Sequence, residues 1–224
     1  MYGSPPTYGK GAVELLVQRV HAYALSRDDL ELLGLAEITL GRVALGHGAL
    51  DVARRWLMEA ADHLDDCDPR YVLGVCLAML ARVEAYRGRG DAAQGVQRRA
   101  ETTYPTMQQT HWMYRHEFAR ARAWVAASHG DLATAQRTVL SAADQCGEFS
   151  LTEITFLHDA LRLGTPPSSL TARLTDLAER TDSELAHAQA AHATATEHKN
   201  PRAVESTAER FASLGATLLA AETQ

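Results

Sequence analysis

The side chains in this 224-residue sequence best suited to metal or nucleophilic chemistry are ten histidines and three cysteines, and their spacing decides what they can do. His111 and His116 stand five apart, not four, so a helix does not place them on one face as a zinc-protease pair requires. His187, His192 and His198, five and six apart, share no helical face either. Cys67, Cys76 and Cys146 are odd in number and show no C-x-x-C spacing, so they predict neither a disulfide framework nor a zinc knuckle. The run His63, Asp65, Asp66, Cys67, Asp68 mixes metal-capable types but is nearly consecutive at a helix end, where the side chains diverge. It reads as a solvated turn in which Asp68 caps a helix opening at Pro69, and Pro69 also breaks the DDxxD pattern of a prenyl-diphosphate enzyme. A phosphate loop is excluded at Gly3 to Gly11, where five residues separate Gly3 from Gly9 and Gly11 follows Lys10 in place of Ser or Thr. No nucleophile, base and orienting group converge by spacing, so no catalytic residue, cofactor or metal site is expected.

The least bland stretch is His111, Trp112, Tyr114, Arg115, His116, Glu117 and Phe118, followed by Arg120, Arg122 and Trp124. Two readings stand: aromatics packed between helix pairs with charged ends in water, or a recognition surface, since Tyr, Trp and Arg are favoured binding anchors. Candidate ligand- or partner-binding residues are Tyr71, Arg82, Tyr114, Arg115 and Glu117, chosen because they fall on the first helix of a pair and have polar tips. For each, the alternative is an ordinary solvated or snorkelling side chain.

Composition favours helix nearly everywhere. Apolar residues make up 46 %, heavily Ala and Leu, and no run alternates with period two. A net charge of −6 works against sequence-independent nucleic-acid binding. The N-terminal residues lack an apolar signal segment, and no stretch approaches the roughly 18 apolar residues of a membrane span. A cytoplasmic protein is expected, its cysteines acting as small apolar residues in a reducing compartment.

The elements that position these residues repeat. Around Gly48, small residues lie seven before (Gly41), five after (Ala53) and twelve after (Ala60). The same offsets around Gly90 give Val83, Gly95 and Thr102, and around Gly130 give Ala123, Ala135 and Ala142. Slender residues at matching points let two helix backbones approach closely. The hinges stand 42 and 40 residues apart, longer than a tetratricopeptide (TPR) repeat of roughly 34, so the expected fold is all-α and TPR-like: a superhelical stack of antiparallel helix pairs, an α-solenoid. Residues 1–11 read as a flexible lead and 12–224 as one repeat domain. A first helix over Ala12 to Leu25 precedes five pairs: 30–45 with 50–64, 70–86 with 92–103, 109–128 with 132–146, 151–163 with 169–179, and 183–197 with 201–219. Asp91 is placed to cap the second helix of its pair, and Pro201 to start another.

Two C-terminal segments carry something more specific. FLHDALRLGTPPSSLTARLTDLAE (156–179) contains L-H-D-x-x-R-L-G at Leu157, His158, Asp159, Arg162, Leu163 and Gly164, and A-E-R-F-A-S-L-G-A-x-L-L-A-A-E runs from Ala208 to Glu222. Over about 60 residues these resemble the helical-repeat region of large ATP-binding LuxR-type (MalT-like) transcriptional regulators. The resemblance over the preceding 150 is architectural only. In that family a nucleotide-binding module precedes the repeats and a helix-turn-helix follows. This sequence holds no phosphate loop and no L-T-x-R-E recognition run, so the resemblance implies an excised middle or truncated product. DNA would then be reached only through a C-terminal module absent from this chain.

What the resemblance implies is a non-catalytic sensor and relay that binds a protein, peptide or small-molecule inducer. A stand-alone TPR-type adaptor is the alternative, and a homo-oligomer is compatible with either. The small-residue reading predicts that Gly41→Leu overpacks a helix contact and destabilises the domain by roughly 1–3 kcal/mol. An unchanged melting temperature would remove Gly41 from any such contact.

Overall fold

The computed structural model describes residues 11–105 and 112–224. Residues 1–10 of the N-terminal lead, and His111, lie outside the described residues. Within them the secondary structure is helical, without strands. In order the α-helices are α1 (Ala12–Arg27), α2 (Leu30–Gly46), α3 (Leu50–Asp66), α4 (Leu73–Tyr86), α5 (Gly90–Thr102), α6 (Trp112–Ser128), α7 (Leu132–Asp144), α8 (Ser150–Arg162), α9 (Thr171–Glu179), α10 (Glu184–Glu197), α11 (Pro201–Ser213) and α12 (Thr217–Glu222). A short 3₁₀ turn, Pro167–Ser169, separates α8 from α9. Neighbouring helices pack in pairs, and α4 lies against α3, α5 and α6, which makes it the central element. All its residues from Leu73 to Ala85 are buried.

The pairs share one hinge. In the bend after α2, Gly48 donates its N–H to the Leu45 carbonyl and Ala49 donates to Ala44, a Schellman closure with Gly48 in the left-handed region at φ 73°. The same two bonds recur after α4 (Gly88 to Ala85, Arg89 to Glu84), α6, α8, α10 and α11. The hinge of the second pair is therefore Gly88, at φ 71°, and not Gly90, which is the first residue of α5. Two glycines two apart made that position ambiguous in the sequence, and only one of them adopts positive φ. The correction improves the repeat: counted from Gly88, the small-residue positions become Ala81, Ala93 and Ala100, each fully buried, in place of Val83, Gly95 and the exposed Thr102. Ala53, Ala60, Ala123 and Ala135 are equally buried at their own hinges, while Ala142 is half-buried.

Other boundaries move for local reasons. Asp68 does cap, its two carboxylate oxygens accepting from the N–H groups of Val72 and Leu73 at 2.8 Å each, but the helix begins at Leu73 because Tyr71 sits at φ 57°. Asp91 is a solvated residue of the first turn of α5, whose N-cap is Arg89. By contrast Asp29, Asp131, Ser183 and Asn200 accept a backbone N–H three residues on, and Pro201 follows Asn200 as the first helical residue. The last long helix expected over 201–219 is broken at Gly215 into α11 and α12.

The core is strung along the stack. One apolar cluster spans α2 to α6, a second spans α6 to α10, and Trp124 on α6 borders both. Close backbone approach is concrete at α2 against α3: a Cβ on Gly41 would stand 2.7 Å from Leu57 Cγ, and one on Gly34 would stand 2.6 Å from Leu64 Cγ. The end of the chain then returns to its beginning. The Thr217 hydroxyl donates to the His47 carbonyl, and a Cβ on Gly48 would lie 2.7 Å from the backbone N of Leu218. Helix α12 thus rests on the α2–α3 bend.

These contacts separate two hinge glycines that are alike in backbone angle. Gly88 has open space around it, so Gly88→Ala is expected to lose only the left-handed preference, about 1–2 kcal/mol. Gly48→Ala carries the same strain and a collision with α12. Urea titration should show it the more destabilised of the two, and amide exchange over 217–222 should accelerate in it alone.

Candidate ligand-binding site

The first helices of successive pairs turn one face toward a common interior. Arg42 of α2, Arg82 and Tyr86 of α4, Glu117 and Arg120 of α6, Thr155 and Arg162 of α8, and Gln189 of α10 line a cavity of about 270 Å³. Leu218 and Leu219 of α12 form part of its apolar wall, with Leu45 of α2 and Leu185 of α10. The walls carry four guanidinium groups and, on Glu117, one carboxylate.

Most of this charge is internally matched. Arg120 Nε donates to Asp159 at 2.7 Å, and Arg162 Nη1 donates to the other Asp159 oxygen at 2.7 Å. Arg162 also makes a two-pronged bond to Glu222 of α12 (2.6 and 2.9 Å), reaches the Tyr86 hydroxyl at 3.3 Å, and stacks 4.4 Å from the Trp124 ring. One side chain therefore joins α4, α6, α8 and α12. Burial works against ionising Asp159, but Arg120 and Arg162 outweigh it and hold its carboxyl well below the usual range. Burial likewise opposes the charge on Arg120, and Asp159 with Tyr86 restores it, so its pKa rises. Removing one partner from a buried pair costs roughly 3–5 kcal/mol, so Arg120, Asp159 and Arg162 are structural ties before they are anything else.

Arg82 differs. It is 4 % exposed, and its Nε and Nη1 make no hydrogen bond, although Nη1 stands 3.2 Å from Glu117. Burial first, and then the neighbouring Arg120, lower its pKa against the opposing pull of Glu117. Arg42 shares the same Glu117 at 3.5 Å. Glu117 is penalised by burial but held below the ordinary carboxylate range by Arg82 and Arg42.

The structure brings together two of the five residues named from the sequence, Arg82 and Glu117. Tyr114 does not reach the surface: it is 1 % exposed, lies beside Gly74 and stacks on Phe118, because positions 114 and 118 share the buried face of α6. Arg115 is on the exposed face, lining a separate open cleft between α6 and α7 with Arg122 and Arg137. Tyr71 precedes α4 instead of lying on it and is half exposed, edge-on to Tyr104 at 5.0 Å. Arg42, Arg162 and Gln189 were not singled out as site residues. The two C-terminal segments do meet, through Arg162 and Glu222, and through His158 against Phe211.

The histidines are used as structure. Glu37, 2 % exposed, is gripped between His21 Nε2 at 3.1 Å and His63 Nδ1 at 2.8 Å, which ties α1, α2 and α3. His158 Nε2 faces His192 Nδ1 at 3.0 Å beside Phe211. Among the described residues no group of three His, Cys, Asp or Glu side chains could hold a metal ion. The cysteines are free thiols: Cys67 is exposed, while burial pushes Cys146 up to about 11 and Cys76 further. No described helix is long and apolar enough to cross a membrane.

Comparison with known proteins finds no matching family model, no matching curated protein and no matching solved structure.

Burial, then Arg162 and His192, depress His158 well below 6.5, and burial with Arg162 depresses His192. A depressed histidine stays neutral in the fold while the unfolded chain takes up a proton, so stability is lost as pH falls below about 6.5. Urea midpoints are expected to drop between pH 7 and 5, with His158 contributing up to about 1.4 kcal/mol per pH unit. The drop should flatten in His158→Gln, and an equally steep profile there would assign it elsewhere.

Proposed function

We propose that this chain is a non-catalytic binding module that receives a ligand or partner on the inner face of its helical stack. The observation that carries this reading is the cavity to which α2, α4, α6, α8 and α10 each contribute a polar residue, closed on one side by α12. A catalytic role is disfavoured by the electrostatics of the same cavity. Glu117, and Asp159 behind it, are held ionised and bound to arginines, and His158 is 1 % exposed, so no group stands ready to exchange protons with a bound substrate near neutral pH.

On the strength of the C-terminal segments, we place the module as the sensor and relay region of a cytoplasmic LuxR-type regulator. Capture of an inducer would bias the state of the larger protein, with DNA contacted by a separate C-terminal module. Coupling has a physical route because α12 both lines the cavity and bonds to the α2–α3 bend, so a ligand that displaces α12 acts on both. The alternative, a protein-interaction adaptor, draws on a different observation: Leu16 and Tyr23, seven residues apart on one side of α1, are each more than half exposed and suit a partner.

Native mass spectrometry of the chain isolated from its source cells separates these readings. A retained small molecule, released by Arg42→Glu on the cavity wall, is the result expected of the sensor. A bound protein released by Leu16→Glu and Tyr23→Glu, with Arg42→Glu silent, would favour the adaptor. A bare chain, unchanged by cell extract, would overturn both.

A further inference from the structure

The cavity holds a buried polar side chain that the fold leaves short of partners. Arg82 is 4 % exposed, its Nε makes no hydrogen bond and its Nη1 has only the ion pair to Glu117 at 3.2 Å, while Gln189, 6 % exposed, stands near it. Both line the same space, one from α4 and one from α10. Leaving such a donor unpaired in a dry interior costs about 1–3 kcal/mol, and more when the group is charged. Native proteins rarely tolerate this outside functional sites.

Charge points the same way. Once Asp159 and Glu222 have satisfied Arg120 and Arg162, two guanidinium groups, Arg42 and Arg82, are left to share the single carboxylate of Glu117. The lining and its partners thus carry four guanidinium groups against the three carboxylates of Glu117, Asp159 and Glu222, with Arg42 49 % exposed at the rim and Arg82 buried. A planar guanidinium accepts a carboxylate or phosphate through paired hydrogen bonds, and an amide supplies a further donor. At about 30 Å³ per water molecule, 270 Å³ is room for roughly nine waters or a ligand of similar bulk. The apolar wall of Leu218 and Leu219 faces these donors and suits a short hydrocarbon body better than a bare ion.

From this we infer that the interior cavity is a binding site for a small organic oxyanion, clasped by Arg82 with Gln189 and Arg42, and covered by α12. This inference rests on the binding-module reading and names the ligand class of that site. The oxyanion supplies the missing countercharge to Arg82 and Arg42, and Glu117 stays in place to keep the empty site folded. The cavity is open beside Arg42 and Leu185, 49 % and 39 % exposed, so a small oxyanion can enter there while α12 stays on the α2–α3 bend.

The test is calorimetric titration of the purified chain with succinate and, separately, with inorganic phosphate, at ionic strength held constant with chloride so that screening is the same throughout. Saturable binding of either probe is expected. Succinate alone identifies a carboxylate ligand, phosphate alone a phosphate ligand, and both the shared oxyanion chemistry. Arg82→Gln is expected to weaken the bound probe by about tenfold or more. Since that change also loosens Glu117 and can unfold the chain, Gln189→Leu provides the second variant, with an expected loss of about threefold to tenfold and an unchanged circular dichroism spectrum. No binding of either probe to the parent chain at roughly 10 mM, or undiminished binding by the Gln189→Leu variant, would overturn the inference. If native mass spectrometry still finds a neutral molecule released by Arg42→Glu, only the oxyanion assignment falls. A chain that binds neither probe and retains nothing loses the broader reading as well.

Discussion

Close approach of helix backbones at small side chains is the constraint from which the rest of the structure follows. Leu57 packs where Gly41 lacks a side chain, Leu64 does the same at Gly34, and fully buried alanines occupy the equivalent contacts of the next two pairs. Helices that touch at residues this slender interlock over a short distance, and each bend is then closed by the same two backbone bonds. Repeated bends of this kind stack the pairs side by side. Arg42 and Arg82, each six residues before its hinge glycine, occupy equivalent positions, and Arg120 and Arg162 reach the same space from other positions on the next two first helices.

How far the sequence discloses this depends on the range of the interaction. Local chemistry is legible: the helices, the cap at Asp68, the helix start at Pro201 and the pairing of helices can all be read from short windows, although Asp91, expected to cap, lies inside the first turn of α5. Gly88 and Gly90 show the limit of that reading, since both fit a bend and the decision belongs to a backbone angle. The site was half legible. Arg82 and Glu117 lie on first helices and could be named from the pattern, but the same rule wrongly exposed Tyr114, because aromatic residues one turn apart serve a buried face as well as an open one. Arg42, Arg162 and Gln189 come together across 147 positions, from 42 to 189, and no local window contains that fact.

Buried charge in this protein is a means of orientation more than of strength. Ion pairs withdrawn from water gain little over well-packed apolar residues, yet they tolerate only one arrangement of their partners. Arg162 illustrates the point: its bonds to Asp159, Glu222 and Tyr86 and its stacking on Trp124 fix four helices relative to one another, where Leu or Met would permit several packings. Glu37 between His21 and His63 does the same for the first three helices. The apolar clusters supply cohesion, and these polar junctions select the curvature.

The bond between His47 and Thr217 joins positions separated by 170 residues. A chain emerging from the ribosome can complete its early hairpins one after another, each from neighbours already synthesised, but the α2–α3 bend stays uncovered until α12 appears. Loss of the last dozen residues would thus leave a stack of nearly intact hairpins around an uncovered, arginine-lined trough.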